Sequence, residues 1–165
     1  MYEERTPRKR PTFDWALCVK WILATTLGWA VGWILSEFAV GLVVGLAQWI
    51  VLRKRIERSE LWVLASGIGW AAGRGLVVAL FPAEATVLAG GALGATLGLA
   101  QWLVLRGRVI QSWWWVVVSA LSWGMALTGV LGATLVGSLA GVATGVAMEF
   151  LLRYTSIQRA REETG

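Results

Sequence analysis

The sequence predicts an all-α integral membrane protein of about six transmembrane helices. They form three repeated hairpins in a pseudo-threefold bundle, with the third hairpin split between the two ends of the chain. Three observations carry this expectation. Apolar residues make up 57% and charged residues 15% of the 165 positions, with a mean hydropathy of +0.65, far from the averages of soluble domains. Gly41 to Trp70 recurs without a gap as Gly94 to Trp123, with fifteen of thirty positions identical, a match that duplication explains better than chance. Lys and Arg are concentrated in alternate connections along the chain, the asymmetry that sets orientation in a bilayer.

Spans are expected at 15–35, 38–53, 61–81, 86–106, 113–131 and 134–153, since a crossing helix needs roughly 20 apolar residues. They form a single transmembrane domain, 14–154, between a basic tail, 1–13, and a polar tail, 155–165. The first span contains Lys20 and lacks a small-residue cleavage site, so it reads as a retained anchor. The second is short, and either tilts with a neighbour, thins the bilayer or re-enters it. The third and fifth begin after Ser59 and Ser112, residues suited to capping a helix start.

Arg5, Arg8, Lys9 and Arg10 precede the first span. Arg53, Lys54, Arg55 and Arg58 lie between spans two and three, Arg106 and Arg108 between four and five, and Arg153, Arg159 and Arg161 at the end. The opposite connections hold only Glu37 and Glu84. An even number of spans with both termini in the cytoplasm places every basic cluster on that side. Topology and contact with anionic lipid headgroups then explain the pI of about 10.1, and no nucleic acid is invoked.

The repeated core reads Gly-x3-Gly-Leu-Ala-Gln-Trp-x-Val-Leu-Arg, followed by Trp-Val-x2-Ser-x3-Trp at Trp62–Trp70 and Trp115–Trp123. A weaker third copy has its first half at Gly141–Arg153 and its second at Trp21-x3-Thr25-x3-Trp29. Spans six and one should therefore lie side by side. Glu149 stands roughly 6 Å inside Arg153 and Lys20 roughly 9 Å inside Asp14 at the helical rise, so an ion pair between them is expected, with independent snorkelling to water as the alternative. Arg74 lies in the opposite half of the membrane, where Glu37 and Glu84 are the carboxylates within reach.

Gly41/Gly45, Gly94/Gly98 and Gly141/Gly145, extended by Gly90 and Gly137, recur every fourth residue and present smooth helix faces for close packing. Gln48 and Gln101 are the expected polar bridges between helices, with a substrate-binding amide as the alternative; Met148 stands at the third equivalent position. Of the twelve tryptophans, Trp15, Trp21, Trp49, Trp62, Trp102 and Trp113 to Trp115 lie near the basic connections and are expected in an interfacial belt. Trp29, Trp70 and Trp123 are deeper. They are expected to pack on glycine stripes, or to surround a hydrophobic guest such as a carotenoid, quinone or lipid tail.

The chain has no histidine and one cysteine, Cys18. Imidazole-held metal or haem, a His-based triad and an internal disulfide are thereby ruled out, and neither a phosphate-binding Gly loop nor a close carboxylate pair on one helix face is present. Cys18 aligns with Ser59 and Ser112, a small residue at a helix start. No catalytic or metal site is expected.

Through Gly45–Arg53 and Gly98–Arg106, both Gly-Leu-Ala-Gln-Trp-Leu/Ile-Val-Leu-Arg, the chain resembles uncharacterised bacterial multi-pass membrane proteins with repeated segments of this kind. The resemblance spans residues 41–123 and weakens at Gly141–Arg153. It implies a location in the bacterial inner membrane and no particular activity. The three-hairpin plan also resembles that of mitochondrial carriers in symmetry alone, because their Pro-x-acid-x-x-base signature is missing. The functional expectation is a non-catalytic accessory or scaffold subunit packed in a larger membrane complex, requiring no cofactor but able to hold a lipid or hydrophobic pigment. The alternative is a transporter or channel for a small solute or ion.

Overall fold

The computed structural model describes residues 12–82, 84–128 and 135–163. The four basic residues of the first tail, the last three residues of the expected fifth span and the first of the sixth lie outside these. The described residues form six α-helices and no strand: α1 Trp15–Leu35, α2 Val40–Leu52, α3 Leu61–Leu80, α4 Thr86–Leu105, α5 Trp114–Ala126 and α6 Val136–Glu162. Four of them, α1, α3, α4 and α6, are long and apolar enough to cross a membrane. The two others have 13 residues each, about 20 Å of helix, which falls short of a bilayer core of roughly 30 Å.

Local chemistry sets the helix ends. Asp14 caps α1, its carboxylate accepting from the Leu17 N–H at 2.9 Å. α3 stops at Leu80, and the following Phe81 is extended, the conformation Pro82 favours in the residue before it. The α2–α3 and α4–α5 connections are built alike. Arg58 and Gln111, equivalent in the repeat, both adopt positive φ, at 53° and 56°. The backbone carbonyls of Ser59 and Ser112 each accept from the N–H of Trp62 and Trp115 at 3.0 Å. The serines do not cap through their side chains. The N-cap positions are Glu60 and Trp113, without a side-chain hydrogen bond, because the tight turn extends one residue further than the serine spacing suggests.

Each helix packs on the next in the chain, and α6 returns to α1, so the bundle is a closed ring. Glycine makes the close approaches. A Cβ added at Gly41 would lie 2.6 Å from the Ser66 carbonyl oxygen, and one at Gly45 2.6 Å from the Ser66 Cβ. Across α4–α5, a Cβ on Gly94 would meet Trp123 Cβ at 2.8 Å and one on Gly98 would meet Ser119 Cβ at 2.8 Å. On α6, Gly137 faces Trp29, Gly141 faces Ile22 and Thr25, and Gly145 faces Trp21. The outer surface remains apolar, with Leu27, Leu46, Ile68, Leu88 and Leu121 exposed.

α6 continues to Glu162, so most of the expected polar tail is helix. Nothing between Gly145 and Gly165 is glycine or proline, and the extension is pinned where Thr155 Oγ1 accepts from the Ile110 N–H at 2.9 Å.

Candidate functional site

Along the middle of the ring lie two layers of three indoles. Trp21, Trp62 and Trp115 are in mutual contact, with centroids 5.5–5.9 Å apart and edge-on geometry. Trp29, Trp70 and Trp123 form a second such triangle at 5.5–5.9 Å, with Trp29–Trp123 tilted and the other two pairs edge-on. Each such pair contributes about 0.5–1.5 kcal/mol beyond burial. The first layer corrects the interfacial-belt expectation, because Trp21, Trp62 and Trp115 are 0–1% exposed. Each precedes Thr25, Ser66 or Ser119 by four residues and so shares the face of the deeper tryptophan, a periodicity that identifies a core position whatever its depth. Trp15, Trp113 and Trp114 are exposed.

The first layer is held by amides. The Trp62 indole donates to Gln48 Oε1 at 2.9 Å, and Gln48 Nε2 donates to Thr25 Oγ1 at 3.0 Å, linking α3, α2 and α1. The Trp115 indole donates to Gln101 Oε1 at 2.9 Å, and Gln101 Nε2 donates to Ser66 Oγ at 2.8 Å, linking α5, α4 and α3. Both amides are buried and occupied on both sides. In the third unit Met148 offers no amide, and the Trp21 indole donates instead to Thr144 Oγ1 at 3.0 Å. Thr144 stands where the other units have Val44 and Leu97, one turn before the glutamine position. A helical side chain leans back over the preceding turn, so a long amide at one position and a short hydroxyl four residues earlier present oxygen to the same indole.

Glu149 does not pair with Lys20. Lys20 is exposed on the outside of α1, whereas Glu149 is 2% exposed and faces inward. Its Oε1 accepts from the Asp14 N–H at 3.1 Å and meets Arg153 Nε at 3.4 Å. Their matching depths hid the fact that the two lie on different faces. Asp14 Oδ2 in turn meets Arg55 Nη2 at 2.6 Å. The Leu17 N–H, and after it the Arg55 guanidinium, hold the Asp14 carboxyl below the usual carboxylate range. These groups border a cavity of about 890 Å³ at the end of the bundle carrying the basic connections, completed by Arg108, Arg159 and Thr155.

At the other end Arg74 pairs with Glu37 at 2.7 Å, one of the two carboxylates expected within its reach, and the Trp70 indole donates to the Glu37 carbonyl at 2.8 Å. Trp29, Trp70 and Trp123 touch one another. Trp29 and Trp70 border a small cavity of about 230 Å³ with Trp33 and Arg74, below the roughly 300–1,000 Å³ of ordinary ligand pockets. Among the described residues no group of three His, Cys, Asp or Glu could hold a metal ion. Cys18 is buried and lies 3.6 Å from the Gly145 carbonyl oxygen.

No family, curated protein or solved structure matches the chain.

Proposed function

We propose that this protein is a non-catalytic membrane scaffold, an accessory subunit that packs beside other subunits of a bacterial inner-membrane complex. In this reading all six helices lie within the bilayer, α2 and α5 in locally thinned regions. Three hairpins, α2–α3, α4–α5 and α6–α1, surround a pseudo-threefold axis, and both termini and the basic connections are cytoplasmic, against anionic headgroups.

The observation that carries the reading is the sealed interior. Of the polar groups a transporter would use to coordinate a solute, Gln48, Gln101, Thr25 and Ser66 are bonded to one another and to indoles, Arg74 is paired with Glu37, and two layers of touching tryptophans cross the axis; Glu149 keeps an unpartnered oxygen, at the basic end. A transport path requires polar groups free to exchange partners. What such a bundle offers to its surroundings is a rigid apolar outer face.

The test is gentle-detergent purification of the tagged protein from its native membrane, with mass spectrometry and an absorption spectrum of the co-eluting fraction. A stoichiometric membrane-protein partner is expected. A partner-free protein that passes solute or ions in liposomes, and loses that flux on Gln48→Leu with Gln101→Leu while staying folded, would establish the transporter instead.

A further inference from the structure

We infer that the cavity at the basic end seats a phosphoethanolamine group, its ammonium on Glu149 and its phosphate on Arg55 and Arg153. The volume, about 890 Å³, lies within the range of small-molecule sites, roughly 300–1,000 Å³. Glu149 supplies the polarity of the seat. Its Oε1 is occupied, but Oε2 is buried and has no hydrogen-bond partner. A buried carboxylate oxygen without a donor is costly, and a charged N–H donor is the group that answers it best.

Four arginines and four carboxylates line the cavity, a balance that suits a zwitterion better than an anion or a cation alone. Arg153 is one helical turn from Glu149, about 6 Å along α6. Arg55 reaches the same place through Asp14, which bonds both Arg55 and Glu149. Each guanidinium has five N–H donors and is in part accessible, at 42% and 29%, so each can add a phosphate oxygen to the carboxylate it holds. A phosphate and an ammonium two carbons apart span the short separation between these seats. A quaternary ammonium carries the same charge but has no N–H for Oε2.

The chemistry is shared by a lipid headgroup and by the free solute. The lipid source rests on the proposed placement of this end in the headgroup layer. The test is native mass spectrometry of the delipidated full-length protein, titrated with phosphatidylethanolamine, with phosphatidylcholine of the same chains, and with soluble phosphoethanolamine as competitor. Wild type is expected to bind the ethanolamine lipid roughly tenfold more tightly than the choline lipid, the worth of one charge-assisted hydrogen bond, and Glu149→Gln to erase the preference. Displacement by the soluble compound assigns the seat to a free zwitterion; its failure to displace assigns the seat to the lipid.

Equal binding of the two lipids by wild type overturns the inference, and this comparison stands even where Glu149→Gln fails to fold. An unchanged preference in a folded Glu149→Gln overturns it as well. Selective binding by a protein that purifies without partners would defeat the scaffold reading and leave this one intact.

Discussion

Gln48→Met should destabilise the bundle, and adding Val44→Thr should restore much of the loss. The pair of changes gives the α2–α3 hairpin the solution already present in the third unit, where Met148 lacks an amide and Thr144 Oγ1 accepts the Trp21 indole at 3.0 Å. Gln48→Met removes the acceptor of the buried Trp62 indole, now at 2.9 Å, and an orphaned buried donor costs about 1–3 kcal/mol. Thr25 suffers less, because its hydroxyl still donates to the Trp21 carbonyl at 2.9 Å.

Val44→Thr alone puts a hydroxyl into the apolar cluster around Trp29 and Trp70, and is expected to cost about 1 kcal/mol even with its proton turned to the carbonyl four residues earlier. Together the two should couple favourably by about 1 kcal/mol, between the average of about 0.6 and the maximum of about 1.7 kcal/mol found for hydrogen bonds between membrane helices. That is roughly a fivefold change in the unfolding equilibrium. The assay is a double-mutant cycle by denaturing-detergent titration, read by tryptophan fluorescence. Losses that simply add would refute the equivalence of Thr144 with the two glutamines.

Glycine replacements should grade with the space the helices leave. Gly41→Ala meets backbone at 2.6 Å and should cost about 1–3 kcal/mol in the same titration. Gly141→Ala, with its nearest neighbours at 3.2 Å, should cost less, and Gly75→Ala, which meets nothing within 4 Å, should be neutral or slightly stabilising through helix propensity. Asp14 makes the protein acid-sensitive. Its folded pKa is depressed, so its contribution is present above the ordinary value of 3.8 and lost as pH falls through the folded value; Asp14→Asn should flatten melting temperature against pH below about pH 4. The Arg74–Glu37 pair is partly exposed, at 31% and 41%, so Glu37→Gln should change stability by no more than about 1 kcal/mol.

Much of this structure was legible because the repeat reports on itself. The glycine stripes, the bridging amides, the adjacency of the first and last helices and Glu37 as a partner in reach of Arg74 all follow from spacing and alignment. What misled was depth taken without face. Trp21, Trp62 and Trp115 lie near basic connections, and distance along the helix alone assigned them to an interface. Their four-residue step to Thr25, Ser66 and Ser119 pointed to the core, where their indoles meet edge to face. Lys20 and Glu149 have matching depths, yet Lys20 looks outward and the inward carboxylate takes the Asp14 N–H. Polarity alone suggested that α6 would end near Arg153, whereas the chain carries no helix breaker there and finds a hydrogen bond at Thr155. The role of Thr144 was hidden because a threonine one turn from a methionine carries no signal until the indole opposite is known.

Closure of the ring by the two ends of the chain can be read from a disulfide in native membranes. Thr26 and Ser138 face each other across α1 and α6, their hydroxyls 3.1 Å apart, and Cys18→Ser copies the residue of the other two units, leaving a cysteine-free background. Thr26→Cys with Ser138→Cys should cross-link rapidly under mild oxidation and raise thermal stability in detergent. Each single variant should stay unlinked, as should a control pairing Ser138→Cys with the outward-facing Leu27→Cys. Linkage no faster in the facing pair than in that control would show that α1 and α6 are apart, and the proposed three-hairpin bundle would fall with it.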